Sequence, residues 1–220
     1  MLSDVDIKKA VKAGEITLKP FDESRLQPAS YDILLGNTFF VTDAHSSSFI
    51  DPVKKIYPKM IEITLKNSDV FVLHPGISIL GYSRDFFGSD NYLIEVNGKS
   101  SLARIGLLVH NSATLVNPGH FLNIALELCN LNNVPVVLRP NMLIAQLTFS
   151  PLSSHTKQSY KSIGRYHLNN VPIILHPGMA IAQLTFSPLS SPPKQNYKEV
   201  GRYSKNNIRG YVAAKKRKNE

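Results

Sequence analysis

From Ile16 onward the chain is punctuated by Gly36-Asn37, His74-Pro75-Gly76, Asn97-Gly98 and Asn117-Pro118-Gly119, each with the chemistry of a tight turn. The apolar, β-patterned runs in this part of the chain are mostly short, and strands need only about four to eight residues. Tyr31–Leu35, Thr38–Thr42, Met60–Leu65, Val70–Leu73, Ile77–Tyr82, Tyr92–Val96 and Leu107–His110 are the candidates. Many short strands joined by Gly/Pro/Asn turns predict an all-β domain, closed or sandwich-like. One helix precedes it. Ser3 can cap, Asp6 stands three residues later as in a capping box, Ile7, Ala10 and Val11 share a stripe, and Gly14 can end it.

The run after Asn117-Pro118-Gly119 alternates cleanly. Leu122, Ile124, Leu126 and Leu128 fall on one side, and Asn123, Ala125, Glu127 and Cys129 on the other. Glu127 is therefore a lone acid on the face opposite the aliphatic row. Most such acids are simply solvated, but a carboxylate beside an anion-binding loop is equipped for acid/base chemistry. Just after Asn97-Gly98 come the cations Lys99 and Arg104 and the hydroxyls of Ser100 and Ser101, where backbone N–H groups and positive charge can gather phosphate oxygens. The same serines would also suit the cap of a short helical turn.

The chain has 220 residues with 43% hydrophobic content, enough for one domain with a real core. No signal-like N-terminus and no apolar run of eighteen residues is present, so a soluble, cytoplasmic protein with no membrane partner is expected. A single cysteine, Cys129, excludes an internal disulfide and suits no zinc site. The net charge of +9 is confined to the end of the chain. Residues 151–220 hold twelve Lys or Arg against two acids, and residues 1–150 hold thirteen against fourteen. Lys215-Lys216-Arg217-Lys218 reads as a solvated tail, and no aromatic-interleaved basic face supports nucleic-acid binding.

An internal repeat follows the Glu127 strand. Residues 131–167 and 168–204 align without gaps at a period of 37, with 26 identities. Each copy carries two strand-like runs, 134–138 and 142–149 or 171–175 and 179–186, then a Ser/Pro loop and a Tyr-x4-Arg-Tyr end. Two units do not make a solenoid, so one copy completes the domain and the other is supernumerary. The short Asn130–Asn133 connection favours copy one, while Gly178 in place of Asn141 favours the turn of copy two. The organisation expected is a β domain over 1–167, its tandem duplicate over 168–204 and a basic tail over 205–220.

Three blocks resemble the dCTP deaminase family, relatives of the trimeric dUTPases. They are Gln27-Pro28-Ala29-Ser30-Tyr31-Asp32 with Leu35-Gly36, Gly98-Lys99-Ser100-Ser101-Leu102-Ala103-Arg104, and Leu138-Arg139-Pro140 through Gln146-Leu147. The resemblance implies a distorted all-β barrel of the dUTPase-like (β-clip) type, a homotrimer with active sites at subunit boundaries, and dCTP as substrate. It places Glu127 as general acid/base. It gives substrate-binding positions to Lys99, Ser100, Ser101, Leu102, Ala103, Arg104, Asn117, Ala125, Leu126, Gln146, Tyr160 and Arg165, with Gln183, Tyr197 and Arg202 as the duplicates of the last three. Asn206 or Asn207 stands near a polar tail position that closes over substrate. The expected reaction is hydrolysis of the cyclic amidine C–N bond, yielding dUTP and ammonia. No zinc is expected, since the Pro-Cys-x-x-Cys of zinc deaminases is missing, and Mg2+ accompanies the triphosphate.

The match departs at one turn. The family pattern Asp-Pro-Gly-aromatic-x-Gly is written here Asn117-Pro118-Gly119-His120-Phe121-Leu122, so an acid becomes an amide and a glycine becomes leucine that is expected to crowd the turn. Leu115 occupies a position where some members place a phosphate-binding Arg. These changes disfavour a dUTP-hydrolysing activity. The alternatives are a dUTP pyrophosphatase or bifunctional enzyme, which Asn117 disfavours, and a catalytically weakened trimeric nucleotide-binding protein, which the altered turn and the duplication suggest. His74, His110 and His176 read as turn or core residues.

Overall fold

The structure, a computed structural model, describes residues 1–66, 68–157, 160, 177–188 and 191. Strands β1 (Ile16–Lys19), β2 (Leu26–Gln27), β3 (Ser30–Thr42), β4 (Met60–Thr64), β5 (Phe71–Leu73), β6 (Ser78–Ser89), β7 (Tyr92–Gly98), β8 (Leu107–Leu108), β9 (Leu115–Val116), β10 (Leu122–Asn130), β11 (Val136–Leu138) and β12 (Leu143–Pro151) carry the fold. Ten of them form one antiparallel network ordered β8-β10-β6-β3-β12-β7-β9, with β1 on β6 and β2 and β4 on β3; β5 and β11 pair separately. This is the curled, mostly β architecture expected of the sequence. The chain divides into one compact unit over Met1–Met179 and a second over Ala180–Glu220.

Helix α1 (Asp4–Lys12) begins where its cap chemistry places it. The Ser3 hydroxyl oxygen accepts from the Asp6 N–H at 3.4 Å, and Gly14 takes a left-handed φ of 76° just beyond the end. Ile7 and Ala10 are buried. The core lies against the long central strands, with Tyr31, Ile33, Leu35 and Phe39 from β3, Ile94 and Val96 from β7, Leu126 and Leu128 from β10, and Ile144, Leu147 and Phe149 from β12.

Two expected turns are strand instead. Gly36-Asn37 lies inside β3, which runs unbroken from Ser30 to Thr42 across a register shift against β6 between Leu35 and Phe39. A Cβ on Gly36 would meet the Tyr82 carbonyl at 2.9 Å, so this glycine permits a close cross-strand approach rather than a chain reversal. Asn97-Gly98 is likewise paired strand, opposite Gln146 and Ala145 of β12. Leu107–His110 is shorter than expected, its paired part limited to Leu107 and Leu108.

Two buried polar groups fasten the sheet. Asp85, fully buried on β6, takes Arg25 Nη1 at 2.8 Å on both carboxylate oxygens and accepts the Leu34 N–H at 2.7 Å. Asn130 at the end of β10 donates to the Leu73 and Val134 carbonyls, both at 2.9 Å, and so ties the β5–β11 pair to the main network. Each satisfies a need that a buried polar side chain cannot meet with water.

Candidate active site

Glu127 stands in the middle of β10, paired with Leu80 of β6, flanked in sequence by the buried Leu126 and Leu128. Its own side chain is half-buried. Burial raises its pKa above the ordinary carboxylate value; the backbone N–H groups of Asn111 and Glu127 itself and the charge of His110 oppose that rise without cancelling it. A carboxylate held this way keeps its proton to higher pH than a solvated one, as a group that must both take and return protons requires. His110 is half-buried just beyond β8, and its Nδ1 is buried with no hydrogen-bond partner among the described residues.

The block after β7 forms a single helical turn, α2 (Ser100–Ala103), with Lys99 at its N-cap and no side-chain capping bond. The serine hydroxyls are therefore not used as caps, contrary to the alternative reading of the sequence. Ser100, Ser101, Ala103 and Arg104 are displayed outward while Leu102 is half-buried against the core, so the turn is anchored by one apolar side chain. No hydrogen bond or ion pair joins Glu127 to Ser100, Ser101 or Arg104 among the described residues.

Lys99 is placed differently from its neighbours. Its Nζ lies 2.5 Å from Asp32 Oδ2, with the lysine side chain 19% and the aspartate 4% exposed. Expected at a substrate-binding position, it is held here by a buried carboxylate of β3. Asp32 Oδ1 is buried without a hydrogen-bond partner among the described residues. Gln146 of β12 also acts on this block: its Nε2 donates to the Gly98 carbonyl at 3.1 Å, and its Oε1 accepts from the Ser30 hydroxyl at 3.2 Å. Gly98 and Lys99, the two residues before α2, are thus tied to β12 and β3. The role of Asp32 was hidden in the sequence. Its signal was an acid within the otherwise apolar run Tyr31–Leu35, a position that demands a cationic partner.

Asn117-Pro118-Gly119 forms the turn its chemistry predicts. Gly119 has a φ of 81°, the His120 N–H donates to the Asn117 carbonyl at 3.1 Å, and the Gly119 N–H donates to the Ser89 carbonyl at 2.8 Å. Tyr160 comes to this turn. Its N–H reaches the Pro118 carbonyl at 3.4 Å and its ring stacks on His120 with centroids 4.2 Å apart. Leu122 packs at the margin of the core opposite Phe87, which accommodates the side chain expected to crowd the turn. Ala125 and Leu126 lie in β10 opposite Tyr82 and Gly81. Arg165, Tyr197, Arg202, Asn206 and Asn207 lie outside the described residues. Gln183 is described, exposed and in no strand.

A cavity of about 700 Å3 lies elsewhere, between Gly36–Thr38 of β3, Arg84 of β6, Asn123 of β10 and Asn141; it includes none of the expected site residues. Among the described residues no group of three or more His, Cys, Asp or Glu could hold a metal ion, and no helix is long and apolar enough to cross a membrane.

Comparison with known proteins bears directly on this arrangement. A sequence profile described as dCTP deaminase-like matches residues 1–152. This chain belongs to the dCTP deaminase-like family. Among relatives of the family, the "dCTP deaminase, dUMP-forming" of Coprothermobacter proteolyticus is 36% identical over 167 residues, 76% of this chain and 90% of that protein. The protein of the same description from Tropheryma whipplei is 41% identical over 165 residues, 74% of this chain and 83% of its own. A crystal structure of 2'-deoxycytidine 5'-triphosphate deaminase from Agrobacterium tumefaciens shares the fold with a TM-score of 0.50 at 19% identity, covering 67% of this chain and 45% of that one. These descriptions differ from the sequence expectation in one respect. The relatives are named for forming dUMP, where dUTP was the expected product.

Proposed function

We propose that this chain deaminates dCTP and, as the names of its relatives suggest, carries the product to dUMP. The observation that carries the reading is Glu127. It is a half-buried carboxylate with a raised pKa, on the strand that leads out of the Asn117–Gly119 turn, in a chain 36–41% identical to proteins described as dCTP deaminases.

The first step is hydrolytic. Glu127 takes a proton from water, the water oxygen bonds to C4 of cytosine, and the carboxyl group passes its proton to ring N3. A second proton, from the added hydroxyl, goes by way of Glu127 to the exocyclic amine. The C4–N4 bond then breaks, leaving a C4 carbonyl and ammonia. Ser100 and Arg104 position water and carboxylate, and Ser101 and Lys99 meet the triphosphate, which for Lys99 requires exchanging Asp32 for a phosphate oxygen. Ala125 and Leu126 lie along the nucleotide, Asn117 hydrogen-bonds the sugar, and Tyr160 and Arg165 close the phosphate end. Mg2+ enters on the triphosphate as part of the substrate. A second water then divides dUTP into dUMP and pyrophosphate. Asn117 has no charge for that step, which makes it the slower one. The active unit is a homotrimer with sites at subunit boundaries.

Purified protein incubated with dCTP and Mg2+, with ammonia and pyrophosphate followed separately, tests both parts. Ammonia with delayed pyrophosphate is expected. Ammonia alone restores dUTP as the product, pyrophosphate alone points to a dUTP-directed enzyme, and nucleotide binding with neither product removes the activity.

A further inference from the structure

The two repeat copies have unequal fates. Ile144–Ser154 and Ile181–Ser191 are identical in sequence over eleven residues. In copy one this stretch is most of β12, a central strand between β3 and β7, and Ile144, Ala145, Leu147 and Phe149 are fully buried. In copy two the same side chains stand in solvent: Ile181 is 80%, Leu184 82% and Phe186 90% exposed, and residues 181–188 belong to no strand. The slot in the sheet is built for a sequence that the chain carries twice.

From this we infer that copy two is an interchangeable β12, able to enter between β3 and β7 of its own chain when copy one leaves. Because burial energy follows side-chain identity and register, an identical run gains the same contacts in the same slot. The lead-in turn is also preformed in both copies. Asn141 has a φ of 68°, directly after Pro140, and Gly178 a φ of 80°, directly after Pro177. Glycine adopts this left-handed conformation with less crowding than asparagine, which favours copy two. Against it, Asn141 Oδ1 accepts from Arg84 Nη1 at 2.8 Å, a bond glycine cannot replace. Two packings of one sequence this closely matched form a bistable element.

The tether permits the exchange. With copy two in the slot, residues 131–167 become a 37-residue insertion between β10 and the incoming strand, and loop closure costs grow only logarithmically with length. Gln183 would then replace Gln146, whose bonds to Gly98 and Ser30 hold the start of the α2 block, so the chain carries a spare for a residue that positions its own site. That last consequence rests on the proposed function. The exchange itself does not.

Full-length Leu147→Asp, Leu184→Asp and the double variant test the exchange by thermal melting. Leu184→Asp should melt as the parent does. Leu147→Asp should remain cooperatively folded, its Tm lowered by no more than about 10 °C, because copy two takes the slot. The double variant should lose its cooperative melt. In the Leu147→Asp background, with Cys129→Ser, cysteines at Glu95 and Thr185 should cross-link within one chain, since Glu95 is the register partner of Thr148 and Thr185 is its duplicate. The proposal is overturned if Leu147→Asp unfolds as fully as the double variant, if the double variant stays folded, or if the cross-link forms only between chains or not at all. Retained deamination by Leu147→Asp reads the proposed function separately, so failure of one leaves the other standing.

Discussion

A single half-buried carboxylate, Glu127, is the group on which the proposed chemistry turns. Replacing Glu127 with Gln should lower kcat for deamination by about 10²-fold or more, if it moves the protons as proposed. Its raised pKa also fixes two pH dependences. Activity of the parent should fall on the acid side with a midpoint above the ordinary Glu value of 4.5. Stability runs the other way, because a carboxyl that binds its proton more tightly when folded favours the fold below its unfolded pKa and loses that contribution as pH rises through the folded value. Glu127→Gln should therefore melt higher than the parent at pH 8 and no higher at pH 4, with deamination reduced at both. Asp32 gives a complementary case. Asp32→Asn leaves Lys99 without its carboxylate and should cost about 2 kcal/mol in urea unfolding, part of which Lys99→Met restores in the double variant. Glu127 was legible in the sequence because β alternation isolates it. Asp32 was not, because only the folded sheet brings residue 99 against residue 32.

Among the elements, the contrast lies between turns and crossings. The Ser3 cap, the Pro118-Gly119 turn and the alternation of β10 depend on neighbours a few residues away, and all formed where local chemistry placed them. Gly36 and Gly98 look the same to any local rule, yet Gly36 sits inside β3 against the backbone of β6 and Gly98 is the last paired residue of β7, opposite Ala145. Gly88 of β6 is a sharper instance. A Cβ there would meet the His120 carbonyl and the Phe121 ring at 2.5 Å, so the Asn117–Gly119 turn docks onto the strand only because this residue has no side chain. Gly88→Ala should destabilise by about 1–3 kcal/mol in chemical denaturation, and it should raise KM for dCTP as the turn and its stacked Tyr160 shift.

For the molecule as a whole, the missing link is between Glu127 and the Ser100, Ser101 and Arg104 turn, which no bond joins among the described residues of one chain. A trimer with sites at subunit boundaries, as proposed, supplies that link from a neighbour. Mixing Glu127→Gln with Arg104→Ala subunits should raise activity above that of either variant alone after dissociation and reassociation. Light scattering should give about three times the chain mass of 24.5 kDa. No recovery in the mixture would place all the groups of one site on one chain. The family, the all-β class and the acid on β10 could be read from residue order because they rest on periodicity, turn chemistry and local motifs. Which repeat copy is packed, which cation is already paired and which glycines face a neighbouring backbone could not. Those depend on contacts between residues far apart in the chain, where identical local sequences, such as the two copies of Ile-Ala-Gln-Leu-Thr-Phe, meet different surroundings.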